Sequence, residues 1–209
     1  MENIDFSSKP LIVCDVDEVV LHFVRPLEAH FGQHGYGFKD QIFKLTGNVK
    51  SLNGGPDAPD QAVFDMIHSY FEVEAHIQAP VDGAVEALGK LSELADILFL
   101  TNMPYEFREA RQACLAKHSL FHPVVTNTGT KGPALSYISN RSKASVWFLD
   151  DSPVNLHAVA NEAPEVNLVH FVADAIFRDL ADHVPTAHLR TGDWTATSEL
   201  IRNKLSGSE

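Results

Sequence analysis

Residues 9–21 read KPLIVCDVDEVVL, an apolar run that meets three acids, Asp15, Asp17 and Glu18, before turning apolar again. An uninterrupted apolar run of this length suits a strand buried on both faces, as in a parallel sheet. Acids directly after it fall at the strand's carboxyl end, the edge at which open parallel sheets bind ligands.

The rest of the chain repeats that pattern. DILFLT, PVVTN, SVWFLD and VNLVHFV are further short apolar runs, and helix-like sequence precedes each of the last three. Helices are expected near 81–94, 104–118, 131–141 and 153–162, with Pro80, Pro104, Pro133 and Pro153 near their first turns. The alternation predicts an α/β fold: a Rossmann-like, three-layer core with a mainly parallel sheet. Residues 22–79 interrupt it with helical patterns and the breaker-rich stretch SLNGGPDAPD. They read as a small α-helical cap inserted after the first strand, which divides the chain into a core of 1–21 and 80–209 and a cap of 22–79. In the cap, Ala62, Val63, Met66, Ile67, Tyr70 and Phe71 recur at helical spacing and predict one amphipathic helix over 59–77 with a packing stripe. The closing NKLSGSE is expected to fray.

Composition sets the class. A chain of 209 residues with 44% hydrophobic content can bury one sizeable core. Its longest apolar stretches are too short or too interrupted to span a bilayer, and MENIDFSSKP lacks a basic region followed by an apolar signal core. A cytoplasmic protein without a membrane partner is expected. The two cysteines, Cys14 and Cys114, form no CxxC and read as small buried residues. A net charge of −12 with no Lys/Arg cluster argues against nucleic acid, yet leaves room for a small anionic substrate held by a few local cations.

Polar groups recur where strands should end: Asp15 and Asp17, then Thr101 and Asn102 after DILFL, Lys131 opening a helix, and Asp150 and Asp151 after SVWFL. Four carboxylates in one low-dielectric cleft repel one another and require a cation. Mg²⁺ suits them, as a hard ion that prefers oxygen ligands and bridges to phosphate. Zinc does not, since no His/Cys pair near these strand ends has metal-ligand spacing.

The ordered set DVDEVV at 15–20, LTN at 100–102, Lys131 in TKGPAL and LDDSPVN at 149–155 resembles the four motifs of the haloacid dehalogenase superfamily, over about residues 10–170. The resemblance implies a nucleophile at Asp15 and a general acid/base at Asp17, whose main-chain carbonyl would also bind metal. It implies that Thr101, with Asn102, and Lys131 stabilise the transferring phosphoryl group. Asp150 and Asp151 would hold Mg²⁺, with Asp151 the direct ligand, and Asn155 stands where relatives carry a second acid. Glu18 replaces the usual Gly after the second aspartate and could meet solvent, the cap or the substrate.

Asp17 selects within the family. An alkoxide leaving group needs a proton donor and a halide does not, so the expected activity is a Mg²⁺-dependent phosphomonoesterase acting on a small phosphorylated metabolite through an aspartyl-phosphate. A phosphosugar mutase would use the same residues, and DVDEVVLHF is similar to the opening of the 5′(3′)-deoxyribonucleotidases. Cap residues open to a substrate include His22, Arg25, His30, Lys39 and Lys44, interleaved with Phe23, Phe31, Tyr36, Phe38 and Phe43. Outside enzymology stand a phosphoacceptor signalling module, whose motif order differs, and a catalytically silent binding protein. The oligomeric state is left open.

Overall fold

The computed structural model describes residues 7–42 and 44–207. Its centre is β1 (Leu11–Cys14), flanked in a six-stranded sheet by β4 (Asp96–Thr101) and β6 (Val146–Asp150). β5 (Val124–Thr126) lies outside β4, and β7 (Asn167–Phe171) and β8 (Ala187–Thr191) lie outside β6. The order is β5-β4-β1-β6-β7-β8 and every pairing is parallel.

Alternation along the strands builds two cores on opposite faces. Ile12, Cys14, Ile97, Phe99, Trp147 and Leu149 pack against α3 (Ala84–Ser92), α4 (Arg108–Lys117) and α8 (Trp194–Ser206). Leu11, Val13, Leu98, Leu100, Val146 and Phe148 pack against α5 (Gly132–Ser139) and α6 (Pro153–Glu162). This is the expected three-layer α/β core. Both cysteines are buried and free.

The insertion between β1 and α3 is not wholly helical. α1 (Val24–Gln33) and α2 (Asp60–Glu74) are joined through an antiparallel ribbon of β2 (Tyr36–Phe38) and β3 (Val49–Ser51). These elements share a third apolar cluster with Met103, Val172 and Phe177, the last from α7 (Ala175–Leu180). Of the stripe expected on α2, Val63, Met66, Tyr70 and Phe71 are buried, while Ala62 and Ile67 are half-buried.

The carboxyl-terminal part departs from expectation. Asn203–Ser206 belong to α8, which Asp193 caps by accepting from Thr195 N, while Ser208 and Glu209 lie outside the described residues. Trp194 at the start of α8 is buried and donates its indole N–H to Val19 O at 3.0 Å. Packing of that indole gives the tail a reason to be ordered. No described helix is long and apolar enough to cross a membrane.

Candidate active site

Strand register carries the acids to the middle of the sheet. Cys14 pairs with Phe99 on β4 and with Leu149 on β6, so Asp15, Thr101 and Asp150 leave the sheet at one edge. A hydrogen-bonded turn follows, in which the N–H groups of Val20 and Leu21 donate to Val16 O, both at 2.9 Å. That turn keeps Asp17 beside Asp15, and both line the same cavity.

Lys131, at the start of α5, is fully buried and pairs with Asp15 Oδ1 and Asp150 Oδ2, each at 2.7 Å. Gly132 is what lets α5 sit this close to α6: a Cβ there would come within 3.0 Å of the Ala158 carbonyl and collide with the Glu162 carboxylate. Asn155 donates to Asp150 Oδ1 at 3.0 Å and accepts from Lys131 N at 3.3 Å. Asp150 also accepts from Ser152 N at 2.9 Å, so its carboxylate is consumed within the loop. Asp151 instead lines the cavity. Its carbonyl accepts the Nε2–H of buried His170 at 3.0 Å, which fixes the tautomer and the loop.

Asp15, Asp150 and Asp151 offer oxygens within 4.8 Å of one another, against one lysine. The shortage of positive charge is visible in their acidities. Burial pushes the Asp15 carboxyl up to about 7, with Lys131 opposing and Asp150 and Asp17 adding to the rise. Burial, then Asp15 and Asp150, push Asp151 well above the usual carboxylate range. Burial alone would lower the Lys131 ammonium, but Asp15 and Asp150 outweigh it and hold it above the ordinary lysine value. A buried, oxygen-only donor set short of cationic charge fits a hard divalent ion. The Asp17 carboxylate stands outside this cluster.

Asp17 has its own counter-charge, one that sequence reading missed. Arg111, fully buried in α4, reaches both Asp17 oxygens through Nη2 at 2.8 and 3.1 Å. Gln78 Nε2 donates to Asp17 Oδ1 and to His22 O, both at 3.0 Å, joining the two connections between insertion and core. The Thr101 hydroxyl, expected at a phosphoryl group, lies 3.4 Å from Asp17 Oδ2, and Thr101 is fully buried and absent from the cavity wall. A signal for Arg111 existed. It occupies the same helical face as Phe107, Cys114 and Leu115, where a charge requires a buried partner.

Glu18 does not reach the cavity. It has φ 63° and is buried, and its carboxylate accepts from Phe23 N and Val24 N at 3.1 and 2.9 Å and from Asp174 N at 2.7 Å. Among solvent, cap and substrate, the side chain meets the cap: it satisfies the first amides of α1, which no neighbouring side chain caps, and ties them to the loop before α7. Charge-assisted bonds of this kind, roughly 1.5–3 kcal/mol each, outweigh a left-handed backbone cost on the order of 1–3 kcal/mol.

The cavity measures about 470 Å³. Its floor holds Asp15, Asp17, Asn102, Thr130, Lys131, Asp151, Ser152 and Asn155. Asn102 is held by the loop after β5, accepting from Asn127 and donating to Gly129 O, each at 2.9 Å. The opposite wall is Phe23, Val24, Leu27, Phe38, Ile42, Leu45, Ile67, Phe71 and Phe177. Of the cap residues singled out from sequence, Phe23 and Phe38 line it; His22, Arg25, His30, Phe31, Tyr36, Lys39 and Lys44 do not, and Phe43 lies outside the described residues.

No family model matches the chain, and no curated protein matches it. Solved structures do. A haloacid dehalogenase-like hydrolase from Streptococcus pneumoniae superposes with a TM-score of 0.63 at 10% identity, covering 93% of this chain and 99% of that one. A predicted phosphoglycolate phosphatase from Haemophilus somnus gives 0.61 at 11% identity, covering 94% and 100%. A protein from Bacillus subtilis, assigned as a HAD-hydrolase and described as bound to magnesium, gives 0.60 at 13% identity, covering 96% and 100%. The chain has the fold of the haloacid dehalogenase superfamily.

Proposed function

We propose that this chain is a Mg²⁺-dependent phosphomonoesterase that hydrolyses a small phosphate ester through an aspartyl-phosphate on Asp15. The observation that carries the reading is the pairing of two carboxylates in one cavity, Asp15 against Lys131 at 2.7 Å and Asp17 against Arg111 at 2.8 Å. Asp15 shares Lys131 with Asp150, whereas both oxygens of Asp17 face Arg111, and such unlike surroundings suit two acids with different roles.

Asp151 and Asp15, with the Asp17 carbonyl, would hold Mg²⁺, while Asp150 orients Lys131 and Asn155. Bound there, the ion would offset charge on the ester's phosphoryl oxygens. An Asp15 oxygen attacks phosphorus in line, the bond to the ester oxygen breaks, and that oxygen leaves with a proton that Asp17, ionised beside Arg111 in the free protein, must take up from solvent before this step. Asp17, now ionised beside Arg111, takes a proton from water; the hydroxide attacks phosphorus, the Asp15–phosphorus bond breaks, and phosphate departs. Lys131 stabilises negative charge on the nucleophile and the phosphoryl group in both steps.

The test is Asp15→Asn with p-nitrophenyl phosphate and Mg²⁺. Turnover should vanish while the melting temperature stays within a few degrees of the parent, and undiminished turnover refutes the assignment. A second reading, the phosphosugar mutase, has support in the similarity to structures described as β-phosphoglucomutases. The apolar cavity wall weighs against it, since a mutase must hold a hydroxyl-rich ligand in two orientations.

A further inference from the structure

The cavity over Asp15 is chemically two-sided. Its floor carries charge, but every described side chain that the insertion contributes is apolar, with Phe23, Phe38 and Phe71 foremost and Phe177 of α7 beside them. The rings are set by one another: Phe23 stacks on Phe71 with centroids 6.1 Å apart, and Phe38 meets Phe177 edge-on at 5.7 Å. Mutual packing makes the wall preorganised, without long polar side chains that could turn inward.

The insertion's polar groups are committed elsewhere. Arg25 binds Asp174 Oδ2 at 2.6 Å and Glu28 at 2.8 Å, Lys39 binds Asp57 at 2.7 Å, and His30 meets Ser69 Oγ at 2.9 Å. On the floor, the Asn102 and Asn155 amides are already bonded within the protein. A leaving group held over Asp15 therefore finds phenyl and aliphatic surface on the side of the insertion, and polar groups such as the Thr130 and Ser152 hydroxyls only on the floor.

We infer that the ester hydrolysed at this site carries an apolar, hydroxyl-poor leaving group, an aryl-bearing or alkyl alcohol, and that phosphorylated sugars are excluded by the wall. The inference rests on the phosphomonoesterase reading. A cavity of about 470 Å³ has the size of pockets that enclose most of a small organic ligand, roughly 300–1,000 Å³. A hydrophobic pocket discriminates against one added hydroxyl by no more than about 100-fold, so the discrimination against a hexose comes from its several hydroxyls together.

The test compares 2-phenylethyl phosphate with glucose 6-phosphate, both of which expel a primary alkoxide, so intrinsic reactivity is matched. At saturating Mg²⁺ we expect kcat/KM at least ~100-fold higher for the phenylethyl ester. Ile67→Gln, which puts an amide on the wall, should narrow that ratio. In parallel, calorimetry with the non-hydrolysable 2-phenylethylphosphonate should give binding at least ~10-fold tighter than methylphosphonate, with a negative heat-capacity change. Equal or better turnover of glucose 6-phosphate or of a nucleoside monophosphate, or equal affinity for the two phosphonates, overturns the inference. If the phenylethylphosphonate binds tighter and no ester is hydrolysed, the cavity inference stands and the phosphomonoesterase reading falls.

Discussion

Replacing Arg111 by Met removes the counter-charge from Asp17 while keeping an unbranched side chain near Phe71, whose ring centre lies 5.8 Å from the guanidinium carbon. Both partners are buried and share contacts of 2.8 and 3.1 Å. Removing one member of such a pair leaves an uncompensated charge and costs about 3–5 kcal/mol. For a chain of 209 residues, where 1 kcal/mol moves the melting temperature by about 2–4 °C, the loss is roughly 6–20 °C. Asp17→Asn should also destabilise, because it strands the Arg111 cation. The double variant leaves no buried charge at the pair and should cost far less than the sum, with a coupling energy of about 2 kcal/mol or more in urea unfolding. Additive losses, or an Arg111→Met protein within about 0.5 kcal/mol of the parent, would refute the argument that the pair is a coupled buried unit. Because Asp17 also lines the cavity, Arg111→Met should lower kcat for p-nitrophenyl phosphate at least ~10-fold.

Glu18→Gly relieves the positive φ but deletes the acceptor of three backbone amides, so it should destabilise by at least about 2 kcal/mol in urea; equal or greater stability would overturn the capping account. Millimolar Mg²⁺ at about 100 times its dissociation constant should add about 2.7 kcal/mol, a rise of about 5–11 °C in melting temperature. Asp151→Asn should abolish that rise, and a shift that survives the substitution would place the ion elsewhere. Burial first, and then His34, lower the pKa of His30, with Glu74 opposing. A base whose value falls on folding favours the native state above its unfolded value of about 6.5, and that contribution disappears as pH drops through the folded value. The melting-temperature difference between the parent and His30→Gln should therefore shift against the parent as pH falls below about 6.5, and a difference that does not change with pH refutes the account.

The central sheet was legible because strands covered on both faces read as unbroken apolar runs, and because acids follow LIVC and VWFL at their carboxyl ends. Register then brings Asp15, Asp17, Lys131 and Asp151 into one cavity. What escaped was encoded differently. YGF and VKS, the ribbon strands, are three residues each, and AHLRT is half solvated with no apolar run to announce it. Arg111 hid as one more cation on a helix until its face was considered. The outward commitment of Arg25 and Lys39 depends on acids at 174 and 57, far away in the chain, so cations near the first motif looked available to a substrate when they were not. Glu18 carried the clearest local sign, an acid where the motif it resembles has Gly, but its partners lie on segments that only the fold assembles.

The outermost strand has a further meaning. Among the described residues β8 bonds only to β7, and along it exposed His188 and Arg190 alternate with half-buried Ala187, Leu189 and Thr191. Arg190 folds back to donate to Ala181 O at 3.1 Å. Bulky polar groups at a free strand edge impede pairing with a strand from another molecule. At the far side, β5 is three residues long and offers little template. The sheet thus ends on both sides in features that discourage growth, so crowding many copies together should not drive them into extended β-stacks.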